Sequence, residues 1–209
     1  MNIRNNQRRG LSTVLTTIII LVASVTLGAG VVLYGASLFQ GSSQTESISV
    51  SGAQLWVHST DPVGKAWGAF GVRNTGDKVL AVDTIQVRGV NMPFTQWYPD
   101  TTVTPALYQK ALNFTGWVAN SGGIAQYDPS NRCATETVQV DLDGAGGEDP
   151  VCANAGSGPV SLSPGSQAII YFKLTNGTLT SLDSGASTTL NVFAGKAGSP
   201  LSITVQGKS

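Results

Sequence analysis

The chain has 209 residues, twelve basic and twelve acidic side chains, and only 11% charged residues. Three of the basic residues, Arg4, Arg8 and Arg9, lie in the first ten, and without them nine basic residues face twelve acidic ones. That balance gives no electrostatic footprint for nucleic acid, and no nucleic-acid partner is expected. The sparsely charged, Ser/Thr-rich composition suits a chain that packs against its own copies or carries glycans. It equally suits a β-rich extracellular domain with a polar, uncharged surface.

Residues 1–10 are polar and basic. From Gly10 to Thr45 there is no charged side chain, and Glu46 is the first acid. A secretory signal has an apolar run of about 7–15 residues followed by a small-residue cleavage site. The run here is longer, and no such site follows it cleanly, although "LYGASLFQG" offers small residues. A membrane span needs about 20 apolar residues, and residues 14–36 meet that need. The spacing predicts a helix over 11–40 with a linker at 41–46. Thr13, Thr17, Ser24, Gly28 and Gly35 recur at intervals of four and seven and so share one helical face. Small residues on one face let helices approach closely where water does not drive association. Glycines at 28, 30 and 35 weaken the second half, so bending or loosening is expected there.

Residues 47–209 read as all-β. A first run alternates at Ile48 and Val50, then at Leu55 and Val57. Leu80 and Val82, then Ile85 and Val87, form a second such run. Ala168, Ile170, Phe172 and Leu174 form another, followed by Leu190 with Val192 and by Leu201, Ile203 and Val205. A period of two puts one face in a core and the other in solvent. Turn signals at 73–78, 162–167 and 175–180 separate the runs. The pattern predicts a sandwich or barrel, with Trp56, Trp67, Trp97 and Trp117 as core or strand-edge packing. Residues 89–158 lack regular alternation and read as long connections, where recognition usually resides.

Cys133 and Cys152 are the two cysteines. An even count in a chain leaving the cytosol favours one disulfide, closing a loop of about 20 residues worth roughly 3 kcal/mol in the chain-entropy model. Two buried thiols are the alternative. Asp141, Asp143, Glu148 and Asp149 gather between the cysteines. Their glycine-rich loop has the composition of a cation loop but not the EF-hand spacing, so a solvated acidic loop is the reading and no metal is expected. The sequons Asn113-Phe114-Thr115 and Asn176-Gly177-Thr178 are candidate glycan acceptors on an exported chain. His58 is the single histidine, and no nucleophile, phosphate-loop or dinucleotide pattern appears. Neither catalysis nor a cofactor is expected.

Arg8-Arg9-Gly10 followed by "LSTVLTTIIILVASVTLGAGVVLYGASLF" resembles the N-terminus of archaeal type IV pilin-like proteins, the group that includes archaeal adhesive pilins and archaellins. The resemblance covers about 35 residues. It implies a class III signal peptide cut by a prepilin peptidase between Gly10 and Leu11. The helix is then retained, first in the membrane and afterwards in the core of a helical filament. It implies a membrane assembly platform and copies of the chain itself as partners, and a location on the cell surface. Bacterial type IV pilins usually carry a glutamate at the fifth mature position, where this chain has Leu15, which fits the archaeal branch. The expected fold class is α+β: a long N-terminal hydrophobic helix, then an all-β immunoglobulin-like sandwich over 47–209. The expected function is a structural filament subunit. The alternative is a membrane-anchored surface protein that binds a sugar or cell-wall ligand through the 89–158 loops.

Overall fold

The computed structural model describes residues 4–42, 45–61, 63–118, 123–124, 133, 138–142 and 150–209, with helix side chains from 12 to 39. The chain divides into two compact units, Met1–Gln44 and Thr45–Ser209. The first is a single helix, α1 (Arg4–Ser42). It runs on through Gly28, Gly30 and Gly35 without a break in its helical assignment. The expected loosening is absent at that level because glycine, unlike proline, keeps its N–H and the i→i−4 bond. The helix also begins seven residues before Leu11, since "RNNQRRG" contains no proline.

The second unit is a β-sandwich, so the α+β class read from the sequence holds. Its strands are β1 (Ile48–His58), β2 (Ala66–Asn74), β3 (Leu80–Val87), β4 (Val90–Asn91), β5 (Trp97–Asp100), β6 (Val138–Val140), β7 (Val151–Ala153), β8 (Val160–Leu162), β9 (Gln167–Lys173), β10 (Ser187–Ala194) and β11 (Ala197–Lys208). Nine of them form one curved sheet in the order β4-β3-β10-β11-β1-β2-β9-β5, with β8 also on β3, and β6 pairs separately with β7. The two layers are joined through β11. Its first part pairs antiparallel with β10, from Ala197 opposite Ala194 to Thr204 opposite Ser187. Its last part, Val205 to Lys208, runs parallel to Leu55–His58 of β1.

Between the layers lies the main core. Leu55, Val57, Phe70, Val72, Trp97, Ile170, Phe172 and Val205 on one side meet Val82, Ile85, Val87, Leu162, Leu190 and Val192 on the other. Gly68 is required within the first layer: a Cβ there would land on the ring of its β9 neighbour Phe172 and 2.7 Å from its β1 neighbour Leu55. The breaks in alternation seen in the sequence are bulges. Between the pairs Ser51–Gly71 and Gln54–Ala69, β1 has two residues where β2 has one, and Gly52 adopts φ +63°. Between Thr84–Phe193 and Val82–Ala194, β3 carries Asp83 with no counterpart in β10. Each extra residue shifts the period by one and returns the next apolar pair to the core.

The sequence reading departs from the structure on the other face of β1, β2 and β9. That face is covered, not solvated. Trp56, Trp67, Ala69, Ile169 and Tyr171 point into a second core with Val103, Leu107, Leu112, Phe114, Val138, Val140, Val151 and Ala153. The connection expected to be surface loop is therefore partly a third layer. Its lack of alternation has a simple cause: it contributes single apolar side chains from turns and three-residue strands.

Buried polar groups secure the ends. Asn74 is fully buried. Its Nδ2 donates to the carbonyls of Lys78 at 2.6 Å and Leu162 at 2.9 Å, and its Oδ1 accepts from Gly76 N–H at 2.9 Å. Every polar atom of the amide has a partner, as burial demands.

Candidate functional site

The surface of α1 is the least ordinary feature of the chain. Residues Ser12–Phe39 form a helix long and apolar enough to cross a membrane. At 1.5 Å per residue its 28 residues span about 42 Å, against a hydrocarbon core of about 30 Å. Ile18, Leu21, Val25, Leu27, Val31, Leu33 and Phe39 all stand more than half exposed. Apolar side chains occur all round the helix, the pattern of a helix surrounded by lipid or by other helices.

Five of its hydroxyls bond within the helix. Thr16 Oγ1 donates to Ser12 O, Thr17 Oγ1 to Val14 O, Ser24 Oγ to Ile20 O, and Ser37 Oγ to Tyr34 O, each at 2.8 Å. Thr26 Oγ1 donates to Val22 O and Ala23 O at 3.0 Å. Such back-bonding meets the hydrogen-bonding need of a hydroxyl where no water is present. The small-residue stripe falls on one uninterrupted helix. Seven- and four-residue steps from Thr17 through Ser24 and Gly28 to Gly35 stay within about 40° of one another at 100° per residue. A Cβ on Gly28, Gly30 or Gly35 would meet nothing within 4 Å. Nothing within the helix itself therefore requires glycine at these positions. The backbones of Arg8, Arg9, Gly10 and Leu11 belong to α1, and their side chains lie outside the described ones.

In the β domain, Cys133 and Cys152 form a disulfide with Cα atoms 5.3 Å apart. Beside it, buried Asp100 accepts from Cys152 N–H at 3.0 Å through one oxygen. Its other oxygen accepts from Thr102 N–H and Thr102 Oγ1, at 2.8 and 2.7 Å. One carboxylate thus ties the edge strand β5 to the cross-linked layer. Sequence reasoning missed Asp100, because only the fold brings it next to Cys152. Asp141 is buried, whereas Asp143, Glu148 and Asp149 lie outside the described residues. Among the described residues no cluster of His, Cys, Asp or Glu could hold a metal.

An open groove of about 740 Å³ runs between the end of β5 and the segment from β7 to β8. Asp100, Thr102, Asn154, Ser157 and Ser161 contribute to its polar lining, and among the described residues no aromatic ring lines it. At the far end of the sandwich, Arg88 Nη1 meets Asp183 Oδ1 at 2.9 Å. The Thr180 N–H above all holds the Asp183 carboxyl below its ordinary range; burial opposes it, and the Thr180 hydroxyl and the Arg88 charge add to the lowering. His58 packs on Trp117 with ring centroids 5.1 Å apart, an ordinary packing contact.

The two sequons differ. Asn113 is half-buried; its Oδ1 accepts from Phe114 N–H, and its carbonyl accepts from Tyr171 Oη, both at 2.8 Å. Asn176 is exposed on the turn after β9. No known protein-family model matches the chain, and neither does any curated protein.

Proposed function

We propose that this chain is the structural subunit of an extracellular, type IV pilus-like filament of the archaeal kind, the group of adhesive pilins and archaellins. A prepilin peptidase cuts between Gly10 and Leu11. The retained helix holds the subunit in the membrane and then polymerises with its copies on an assembly platform, while the β domain forms a glycosylated outer surface. The observation that carries this reading is α1. From Ser12 to Phe39 it is uncharged and apolar on every side, and the hydroxyls of Thr16, Thr17, Ser24, Thr26 and Ser37 bond to its own backbone. Such a helix fits lipid and a bundle of its own copies equally well, which is what a subunit that waits in a membrane and then assembles requires. The role is structural, with neither catalysis nor a cofactor.

Electron microscopy of purified surface material, joined to N-terminal sequencing of its protein, tests the reading. Uniform fibres of this chain beginning at Leu11 are expected. A chain beginning near Gly41, or surface material without fibres, overturns it. The groove between β5 and β8 favours the second reading, a membrane-anchored protein that binds a sugar or cell-wall ligand. Absence of fibres together with saturable binding of cell-wall glycan to surface-anchored chain would select it.

A further inference from the structure

We infer that the two sequons are not equivalent: Asn176 is the acceptor of an N-linked oligosaccharide, and Asn113 is refused. The inference rests on the reading that the β domain is exported.

Asn176 stands at the tip of the connection between β9 and β10, with Thr175, Asn176 and Gly177 all exposed. The turn is held from below. Thr178 N–H donates to Thr175 O at 3.1 Å, and Gly177 takes φ +84°, a conformation that favours glycine. Beneath it, a Cβ on Gly64 would sit 2.7 Å from Leu179 O and 3.1 Å from Gly177 N. The tip therefore rests on the β1–β2 turn and points its side chain outward. No described hydrogen bond occupies the Asn176 amide, and any modification there leaves the turn's backbone bonds intact.

Asn113 is the opposite case. It lies between the buried residues Leu112 and Phe114. Phe114 stacks on Trp56 at 5.4 Å and packs on Trp117 at 4.8 Å. The Asn113 carbonyl holds the hydroxyl of fully buried Tyr171. Presenting Asn113 to a transferase would draw Phe114 out of the second core and leave the Tyr171 hydroxyl without its partner, a cost the folded domain opposes.

The donor class is a lipid-phosphate-linked oligosaccharide. Asn176 Nδ2 forms the bond to C1 of the first sugar and gives up one proton. The sugar–phosphate bond breaks, and the lipid phosphate leaves with the bonding electrons. The sugar is then carried close to Val63, which neighbours Gly64 and is 54% exposed, and on the same connection as Leu182, which is 93% exposed. A hydrated chain there keeps an apolar tip from associating with other surfaces.

The test is glycopeptide mass spectrometry on full-length chain recovered from outside the cell, as wild type, Thr178→Ala and Thr178→Ser. Sugar mass is expected on the Asn176 peptide alone. It should vanish in Thr178→Ala, which keeps the turn's backbone bonds, and persist in Thr178→Ser, which keeps the sequon. An Asn176 peptide at its unmodified mass, or about 1 Da heavier by deamidation, overturns the inference, as does sugar on Asn113. Bare Asn176 on exported chain beginning at Leu11 sinks the inference and leaves the filament reading standing. Chain confined to the cytoplasm sinks both.

Discussion

Helix α1 and the strands β1, β2 and β9 both carry large apolar surfaces, and they dispose of them in opposite ways. Strands β2 and β9 and the Leu55–Val57 end of β1 bury both faces within their own chain, one in the main core and one in the second. The helix leaves its apolar side chains exposed from Val14 to Phe39. A two-sided strand is satisfied once the domain has folded. An exposed helix of this length is satisfied only by something outside the chain, lipid or other helices. The folding problem is closed in one unit and handed to the surroundings in the other.

The largest expected effect separates the units. Deleting residues 11–36 should abolish fibres entirely, while the fragment Thr45–Ser209 gives a β-dominated circular dichroism spectrum and a cooperative melt. Fibres from the deleted chain would remove α1 as the polymerising element. Ser24→Leu and Gly28→Leu sharpen this test, because a Cβ at Gly28 would meet nothing within 4 Å. Both variants should insert in membranes and be cut after Gly10, yet fail to assemble. Normal fibres from them would move the packing face elsewhere on the helix.

Inside the β domain the effects are thermodynamic. Phe70→Ala empties a fully buried site in the main core and should cost about 3–5 kcal/mol in urea unfolding of the fragment. A loss below about 1 kcal/mol would mean that the two layers are not packed through Phe70. Replacing Cys133 and Cys152 together by serine opens a loop with a sequence separation of 19. It should cost roughly 3 kcal/mol, with the loss confined to the second core: Trp56 and Trp67 should gain solvent exposure while Trp97 does not. Equal exposure of all three would show that the two cores melt as one.

The smallest effect is electrostatic. The Asp183 carboxyl is held below its ordinary range first by the Thr180 N–H. A carboxylate depressed in the folded state lends stability that is present above its unfolded value, near 4, and is lost as pH falls through the lower folded value. The fragment's melting temperature should therefore drop slightly as pH falls below about 4, and Asp183→Asn should flatten that drop. An unchanged acid slope would show that Asp183 contributes nothing measurable, since the pair with Arg88 is largely solvated.

Much of this was legible in local pattern. The uncharged stretch after Arg9 and the spacing of Thr17, Ser24, Gly28 and Gly35 describe the helix and its small-residue face, because a helix is built from bonds between near neighbours. The alternating runs predict the strands for the same reason. The shifts of phase between Val50 and Leu55, and between Val82 and Ile85, already carried the two bulges, although only the strand registers show what they mean. The turn signal at 73–78 gave no hint that Asn74 is a buried clamp, since its partners include Leu162, 88 positions away.

What the sequence determined by itself is the division of the chain: an uncharged helical segment, then a β domain with two cysteines available to pair. The tertiary structure decided which surfaces stay free. It covered the outer face of β1, β2 and β9 with residues from 101–153, locked Asn113 through Tyr171 and Phe114, and left Asn176 exposed. The physical reason is range. Helix and strand patterns arise from contacts a few residues apart and can be read along the chain. Burial on a second face depends on which distant segment folds over it, and here that segment contributes isolated apolar side chains with no period to read.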